Sequence, residues 1–258
     1  MDKKKIFSDL LIKLCAACFL SFSVILFFFI QDSFDFYKLS ALLSALLYNP
    51  WFYALFCYAI LCSFIIDKLA LKQTNITKKA LLYIIFGYLF FLPFPLFSSD
   101  PFIIYFIAGS IGAICALFFY LCTYIAQKAK WFRYSIPILI PILFITIAAI
   151  DFTKKEQWVE HTTENEFEAT FSYFNGKHKI PIYAKEGAII EMNVQFLVGG
   201  NNSYGHGLHF ASEFNKNVPV SEINTDTYQL AATKTGTYYI VVTGENLTGK
   251  IKAKWNIH

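Results

Sequence analysis

A chain of 258 residues that is 56% hydrophobic and only 16% charged is too apolar to surround itself with a solvated surface, which excludes an ordinary soluble globular protein. The net charge of +4 joins two unlike parts, because residues 1–150 carry +6 and residues 151–258 carry −2. Arg133 is the only arginine beside 21 lysines, so the guanidinium forks of a nucleic-acid reader are missing and no nucleic-acid partner is expected.

An apolar helix of about 20 residues spans the roughly 30 Å hydrocarbon core of a bilayer. Five runs approach that length: Leu10–Ile30, Leu42–Ile66, Ala80–Phe97, Phe102–Ala126 and Trp131–Ile150. The first follows Lys3, Lys4 and Lys5 as a secretory signal would. It is longer than such a signal and has no small-residue cleavage site before Gln31, so it is expected to be retained. The second run reaches back to Leu39, too far for one upright span, and a kink or interfacial turn is expected around Tyr48-Asn49-Pro50-Trp51. Cys15 and Cys18 form a CxxC inside the first run, where the expected role is packing rather than redox chemistry or metal binding.

Lysine and arginine are retained on the cytoplasmic side of short loops. With the N-terminus inside, that side receives Lys3, Lys4, Lys5, Lys13, Lys68, Lys72, Lys78, Lys79, Lys128, Lys130 and Arg133, whereas the outside receives Lys38, Lys154 and Lys155. An odd number of spans then places the C-terminal part outside the cytoplasm. Away from their ends the spans carry no ionisable side chain of the kind a proton relay or ion carrier uses. Pro93, Pro95, Pro137 and Pro141 are candidate helix breakers, and Gly109 with Gly112 is a candidate close-packing site. The bundle is accordingly expected to anchor the chain in the bilayer or to dock a membrane-protein partner.

Residues 151–165 are polar and read as a juxtamembrane linker with at most a brief helix. Beyond them the apolar pattern changes to alternation, the mark of half-buried strands. In "AIIEMNVQF", Ile190, Met192, Val194 and Phe196 share one face; in "KIKAKWNI", Ile251, Ala253, Trp255 and Ile257 do. Turn residues fall between such runs at Asn175-Gly176, Lys185-Glu186-Gly187, Thr235-Gly236 and Thr248-Gly249, with a tight primed turn favoured at Asn175-Gly176. The expected fold is therefore a membrane α-helical bundle of five transmembrane helices (1–150), a linker (151–165) and a C-terminal all-β antiparallel sandwich of seven or eight strands (166–258). All six cysteines precede residue 151, so no disulfide staples the sandwich and its core alone must stabilise it.

Two stretches, "IYAKEGAIIEMNVQF" (182–196) and "YQLAATKTGTYYIVVTGENLTGKIKAKWNI" (228–257), resemble the bacterial pre-peptidase C-terminal domain, a small jelly-roll-like β-sandwich. Gly187 matches the family's first turn, Gly236 with Tyr238 its Gly-x-Tyr strand start, and Gly249 its last turn. The resemblance covers about the final 90 residues and implies a non-catalytic binding or folding accessory. Some members bind calcium through acidic clusters; this sequence has no comparable cluster, and calcium is not implied.

Chemistry-bearing side chains concentrate in "GGNNSYGHGLHFASEF" (199–214). Asn201, Asn202, Tyr204, His206 and His209 are candidates for a polar ligand site. A metal shared by His206 and His209, with Glu213 or His178, requires a loop around Gly207, because on a strand an odd spacing sends the two imidazoles to opposite faces. Ser203 beside His206 lacks a nucleophile elbow and an orienting acid, so no catalytic residue is expected, and no cofactor. The expected function is that of a non-enzymatic integral membrane protein whose outer sandwich binds an envelope, glycan or protein ligand. The alternatives are a self-protection protein against a secreted toxin and a small transporter or membrane enzyme with an accessory sandwich.

Overall fold

In a computed structural model the structure describes residues 3–70, 76–93, 101–199, 205–215, 217–224 and 226–258. The chain divides into two compact units, Met1–Asp151 and Phe152–His258. The first is a helical membrane bundle and the second an antiparallel β-sandwich.

The helical unit comprises α1 (Lys3–Gln31), α2 (Phe36–Tyr48), α3 (Pro50–Ala70), α4 (Ile76–Phe90), α5 (Pro101–Lys128) and α6 (Lys130–Ala149). Among the described residues four of them (α1, α3, α5 and α6) are long and apolar enough to cross a membrane. The expected span Ala80–Phe97 is represented by the 15-residue α4; its far end, with Pro95, lies outside the described residues. The expected break near Pro50 is sharp. The Asn49 N–H closes α2 on the Leu46 carbonyl at 3.1 Å, and Asn49 Oδ1 accepts from the Trp51 N–H at 2.9 Å, so one residue ends one helix and caps the next, with Pro50 at the first helical position where its missing N–H costs nothing. Pro137 and Pro141 lie inside α6 without ending it.

Three features tie α1, α3, α4 and α5 together. Apolar side chains of α1, α3, α4 and α5 form a shared cluster around Ala16, Ala17, Ile66, Tyr83 and Phe119. Gly87 of α4 and Gly112 of α5 meet so closely that a Cβ on Gly87 would lie 2.7 Å from the Gly112 carbonyl oxygen, the contact small residues permit between membrane helices. Gly109, expected to serve the same purpose, takes the ring of Tyr88 instead. Finally, Lys13 of α1, only 2% exposed, pairs with Asp67 of α3 at 2.5 Å, and Lys79 of α4 reaches the same carboxylate at 3.2 Å. Cys15 and Cys18 are buried free thiols, in keeping with a packing role.

The sandwich contains β1 (Lys154–Glu156), β2 (Val159–Thr162), β3 (Glu166–Ala184), β4 (Ile189–Val198), β5 (His206–Ser212), β6 (Ser221–Asn224), β7 (Thr227–Ala231) and β8 (Gly236–Ile257). The sheet order is β1-β3-β8-β4-β7-β6, with β2 added on β3 and β5 on β8. Residues 151–165 are therefore not a linker: β1 and β2 pair in succession with β3 and belong to the second unit.

β3 and β8, 19 and 22 residues long, pair along nearly their whole length and carry both layers. The first half of β3 pairs with the second half of β8, which also holds β4; the second half of β3 pairs with the first half of β8, which also holds β5. Between the halves each strand inserts one extra residue, β3 between Phe171 and Phe174 and β8 between Gly244 and Leu247. A one-residue insertion exchanges the faces of a strand. Burial accordingly passes from Phe167, Ala169 and Phe171 to Phe174, Ile180 and Ile182 on β3, and from Tyr238, Ile240 and Val242 to Leu247, Ile251 and Ala253 on β8. Odd positions in one half and even positions in the other thus point into one common core.

The turns expected at Asn175-Gly176 and Thr248-Gly249 are corrected by this arrangement. Both pairs lie within the long strands beside the corner, while Lys185-Glu186-Gly187 and Thr235-Gly236 stand at true strand connections. Ile190, Met192 and Val194 of β4 and Ile251, Ala253 and Trp255 of β8 are buried as their alternation requires. On the opposite face Glu168 pairs with Lys250 and, at 3.3 Å, with Lys252, and Glu166 pairs with Lys254 at 3.1 Å, so complementary cross-strand charges cover the solvated side.

Gly249 stands at the corner, opposite Phe171. Its φ of +137° is open to glycine alone, and a Cβ there would collide with the Leu197 carbonyl oxygen. Gly249→Ala should therefore lower the stability of the sandwich by about 2–4 kcal/mol, read from chemical denaturation followed by the far-ultraviolet β-sheet signal and tryptophan fluorescence. An unchanged midpoint would show that the corner is not held by this residue.

Candidate ligand-binding site

Of the residues singled out in the sequence, the described His206 and His209 do not converge. Asn201, Asn202, Ser203 and Tyr204 lie outside the described residues. His206 and His209 both stand on β5, not on a loop, and the odd spacing separates them. His206, opposite Gly244, packs against the Phe196 ring with centroids 4.5 Å apart. His209, opposite Val241, lies on the outer face, where partial burial and the nearby Lys179 and Lys177 depress its pKa. Glu213 follows β5, its carboxylate beside Gly236. The His206–His209–Glu213 metal set is thereby corrected: strand geometry sends the two imidazoles apart, and among the described residues no three His, Cys, Asp or Glu side chains are grouped to hold a metal.

Two other places in the sandwich gather polar chemistry. The first is an open hollow of about 610 Å³ between the segment joining β5 to β6 and the end of β7. The segment is held in shape by its own hydrogen bonds. Ser212 N–H donates to the Asn215 carbonyl at 2.7 Å, Asn215 N–H to Ser212 Oγ at 3.0 Å, Asn217 N–H to Asn215 Oδ1 at 3.2 Å, and Val218 N–H to the Phe210 carbonyl of β5 at 2.8 Å. Serine and asparagine side chains substitute here for a ladder partner, which is why the sequence leaves regular strand geometry after Ser212.

Across the hollow, β7 and the following turn present Gln229, Thr233 and Lys234. The turn is pinned by buried Tyr238, whose hydroxyl accepts from the Lys234 N–H at 3.2 Å and donates to the Lys234 carbonyl at 2.9 Å. Lys234 Nζ stands 5.3 Å from the ring centre of Phe214, which is 52% exposed. The walls thus offer hydroxyls and amides, one ammonium, one exposed aromatic face and the apolar side chains of Val218, Pro219, Val220 and Ala231. This set can orient a polar ligand by hydrogen bonds and stack against its apolar face.

The second is a closed cluster around His178, at the corner where β1 and β2 meet β3. His178 lies on the inward face of β3, in line with Ile180 and Ile182, and its side chain is only 17% exposed. Lys155 Nζ donates to His178 Nδ1 at 2.7 Å; an ammonium has only protons to offer, so the neutral ring keeps its proton on Nε2, 3.7 Å from Glu160 Oε2. Trp158 Nε1 donates to the same Glu160 oxygen at 2.7 Å, and the indole stacks on Phe171 at 5.3 Å beneath the Lys155 ammonium, 4.2 Å from its ring centre. Burial, reinforced by Lys155 and opposed only by Glu160, pushes the His178 pKa down to about 4. Sequence spacing gave no sign of this cluster, because its members come from three strands; the one available signal was a histidine in phase with the inward face of "HKIPIYA".

No family model matches the chain, and no curated protein matches it. Among solved structures, the crystal structure of Aeromonas hydrophila PliG, a periplasmic lysozyme inhibitor of g-type lysozyme, aligns with 42% of this chain and 93% of that one, at 12% identity and a TM-score of 0.25. A likeness of that degree leaves the functional reading to the residues themselves.

The depressed His178 pKa sets a pH dependence. The unfolded imidazole, near 6.5, takes up its proton more readily than the folded one, so acid favours the unfolded state. The unfolding midpoint of the full chain in detergent should be level above about pH 6.5 and fall as the pH drops towards 4, with a loss on the order of 3 kcal/mol once His178 is fully protonated. His178→Gln should flatten this fall and His209→Gln should reduce it less. Glu168, held below its ordinary value by hydrogen bonds from Lys250 and Lys252, adds a loss only below 4.5. An acid profile untouched by His178→Gln would contradict the account.

Proposed function

We propose that this is a non-enzymatic integral membrane protein with a cytoplasmic N-terminus, whose sandwich stands outside the cytoplasm and binds an envelope glycan or protein ligand. The helical unit serves as its anchor or as a docking unit for a membrane partner. The observation that carries this reading is the hollow between the β5–β6 segment and β7. It is open, prearranged by hydrogen bonds, and lined by the apolar Val218, Pro219, Val220 and Ala231 together with hydroxyls, amides, Lys234 and Phe214, rather than by a nucleophile beside a base. Such a lining supplies orientation and affinity without a reactive group. The distribution of lysines along the chain supports the orientation, and the resemblance of residues 182–196 and 228–257 to the pre-peptidase C-terminal domain supports the accessory binding role.

Two measurements test this. A reporter active only outside the cytoplasm, fused after His258, should be active; a cytoplasmic readout overturns the orientation. Full-length protein in nanodiscs should bind soluble muropeptides or an envelope protein through the hollow, with Phe214→Ala and Lys234→Ala each weakening binding roughly tenfold and Lys252→Ala, on the polar outer face, leaving it unchanged. Binding indifferent to both hollow variants overturns the site.

A further inference from the structure

The helical unit contains a cavity of about 370 Å³ bounded by α1, α2 and α3 on one side and by α4 and α5 on the other. It arises from unequal helix contacts. Gly87 and Gly112 bring the backbones of α4 and α5 together as one wall, whereas larger side chains such as Phe52, Tyr58 and Phe86 keep α3 at a distance from that wall. The floor is buried, at Ile25, Cys62, Tyr83 and Phe119, and the mouth is formed by Val24, Phe28, Leu55 and Ile111, all exposed at the surface of the helices. On membrane-spanning helices that surface meets hydrocarbon rather than water.

The polar atoms of the lining are already satisfied within the protein. Tyr58 donates to the Phe86 carbonyl at 2.7 Å, Tyr83 shares a 2.7 Å hydrogen bond with Ser63, and Ser21 donates to the Ala17 carbonyl at 3.0 Å. Tyr58 and Ser21 have thus given their protons to backbone carbonyls, so the lining offers an occupant few free donors, and a polar ligand would lose most of its hydration without compensation. A cavity of roughly 150 Å³ lined by Leu, Ile and Phe stays dry and takes a benzene ring; this one has more than twice that volume and opens towards the compartment where aliphatic chains are most concentrated.

We propose that the cavity is a binding site for one acyl chain of a membrane phospholipid, inserted between α3 and the α4–α5 pair as a resident lipid. The assignment depends on the helices lying in a bilayer and not on what the sandwich binds. The chain fills space that would otherwise leave the facing side chains without packing partners, and its headgroup remains at the membrane surface.

The test uses the full chain in vesicles of phosphatidylethanolamine and phosphatidylglycerol containing a trace of phospholipid with a mid-chain diazirine. After illumination, cross-links located by mass spectrometry should concentrate on the cavity lining of α1, α3 and α5 rather than on the exposed α6 surface around Leu139. Ala59→Phe and Ala116→Phe, which fill the cavity, should each reduce cavity labelling roughly tenfold, while Leu139→Phe leaves it unchanged. Even labelling over all lipid-facing helices, or cavity labelling unaffected by filling, overturns the proposal. Stronger competition by unlabelled polyprenol than by unlabelled phospholipid overturns the assignment to a straight acyl chain. Should the filled variants fold poorly, native mass spectrometry of the unsubstituted protein decides: one phospholipid per chain retained through delipidation supports the site, and none retained overturns it.

Discussion

An unpaired backbone N–H or C=O away from water costs as much as a lost hydrogen bond, and both units of this protein are arranged around that cost. In the helical unit the helices satisfy their own backbones, and side-chain hydroxyls return to carbonyls one turn back, as at Ser21, Ser23, Thr123 and Thr146. The hydroxyls that face other helices find a partner within the protein, Tyr58 on the Phe86 carbonyl and Ser63 on Tyr83. The interior this leaves is suited to hydrocarbon. In the sandwich the same cost is met by the β3–β8 ladder, which runs unbroken except at the corner.

That corner governs the rest of the β unit. Two strands that each served a single layer would need extra connections and would expose extra edges. β3 and β8 instead cross from one layer to the other, and the matched bulges keep their apolar residues facing inward on both sides of the crossing. The consequences reach both polar sites. The bend in β3 creates the recess into which Trp158 stacks on Phe171, and the face exchange turns His178 inward beneath Lys155. At the start of β8, Tyr238 on the inward face holds the Lys234 turn that forms one wall of the hollow.

The two sites differ in what their polar groups are left to do. Around His178 the imidazole, ammonium, carboxylate and indole bond one another, and the energetic result is stability that depends on pH. Around the hollow the loop's hydrogen bonds are spent on its own shape, while Lys234 and Phe214 face outward. Packing consumes the first group of side chains and presents the second.

Composition and periodicity alone determined the membrane bundle, the break at Asn49-Pro50, the alternating faces of β4 and of the end of β8, and the separation of His206 from His209 should they lie on a strand. These follow from hydrophobic burial and from the fixed geometry of single elements, which neighbouring residues encode. The strand character of residues 151–165, the absorption of Asn175-Gly176 and Thr248-Gly249 into long bent strands, the Lys13–Asp67–Lys79 network, the His178 cluster and the hollow were decided only by the tertiary structure. Each depends on partners far apart in the chain, such as Phe171 with Gly249 or Lys13 with Asp67. A turn dipeptide reads the same whether it reverses a chain or bends a strand, and the difference lies in what the distant partner offers to pair with.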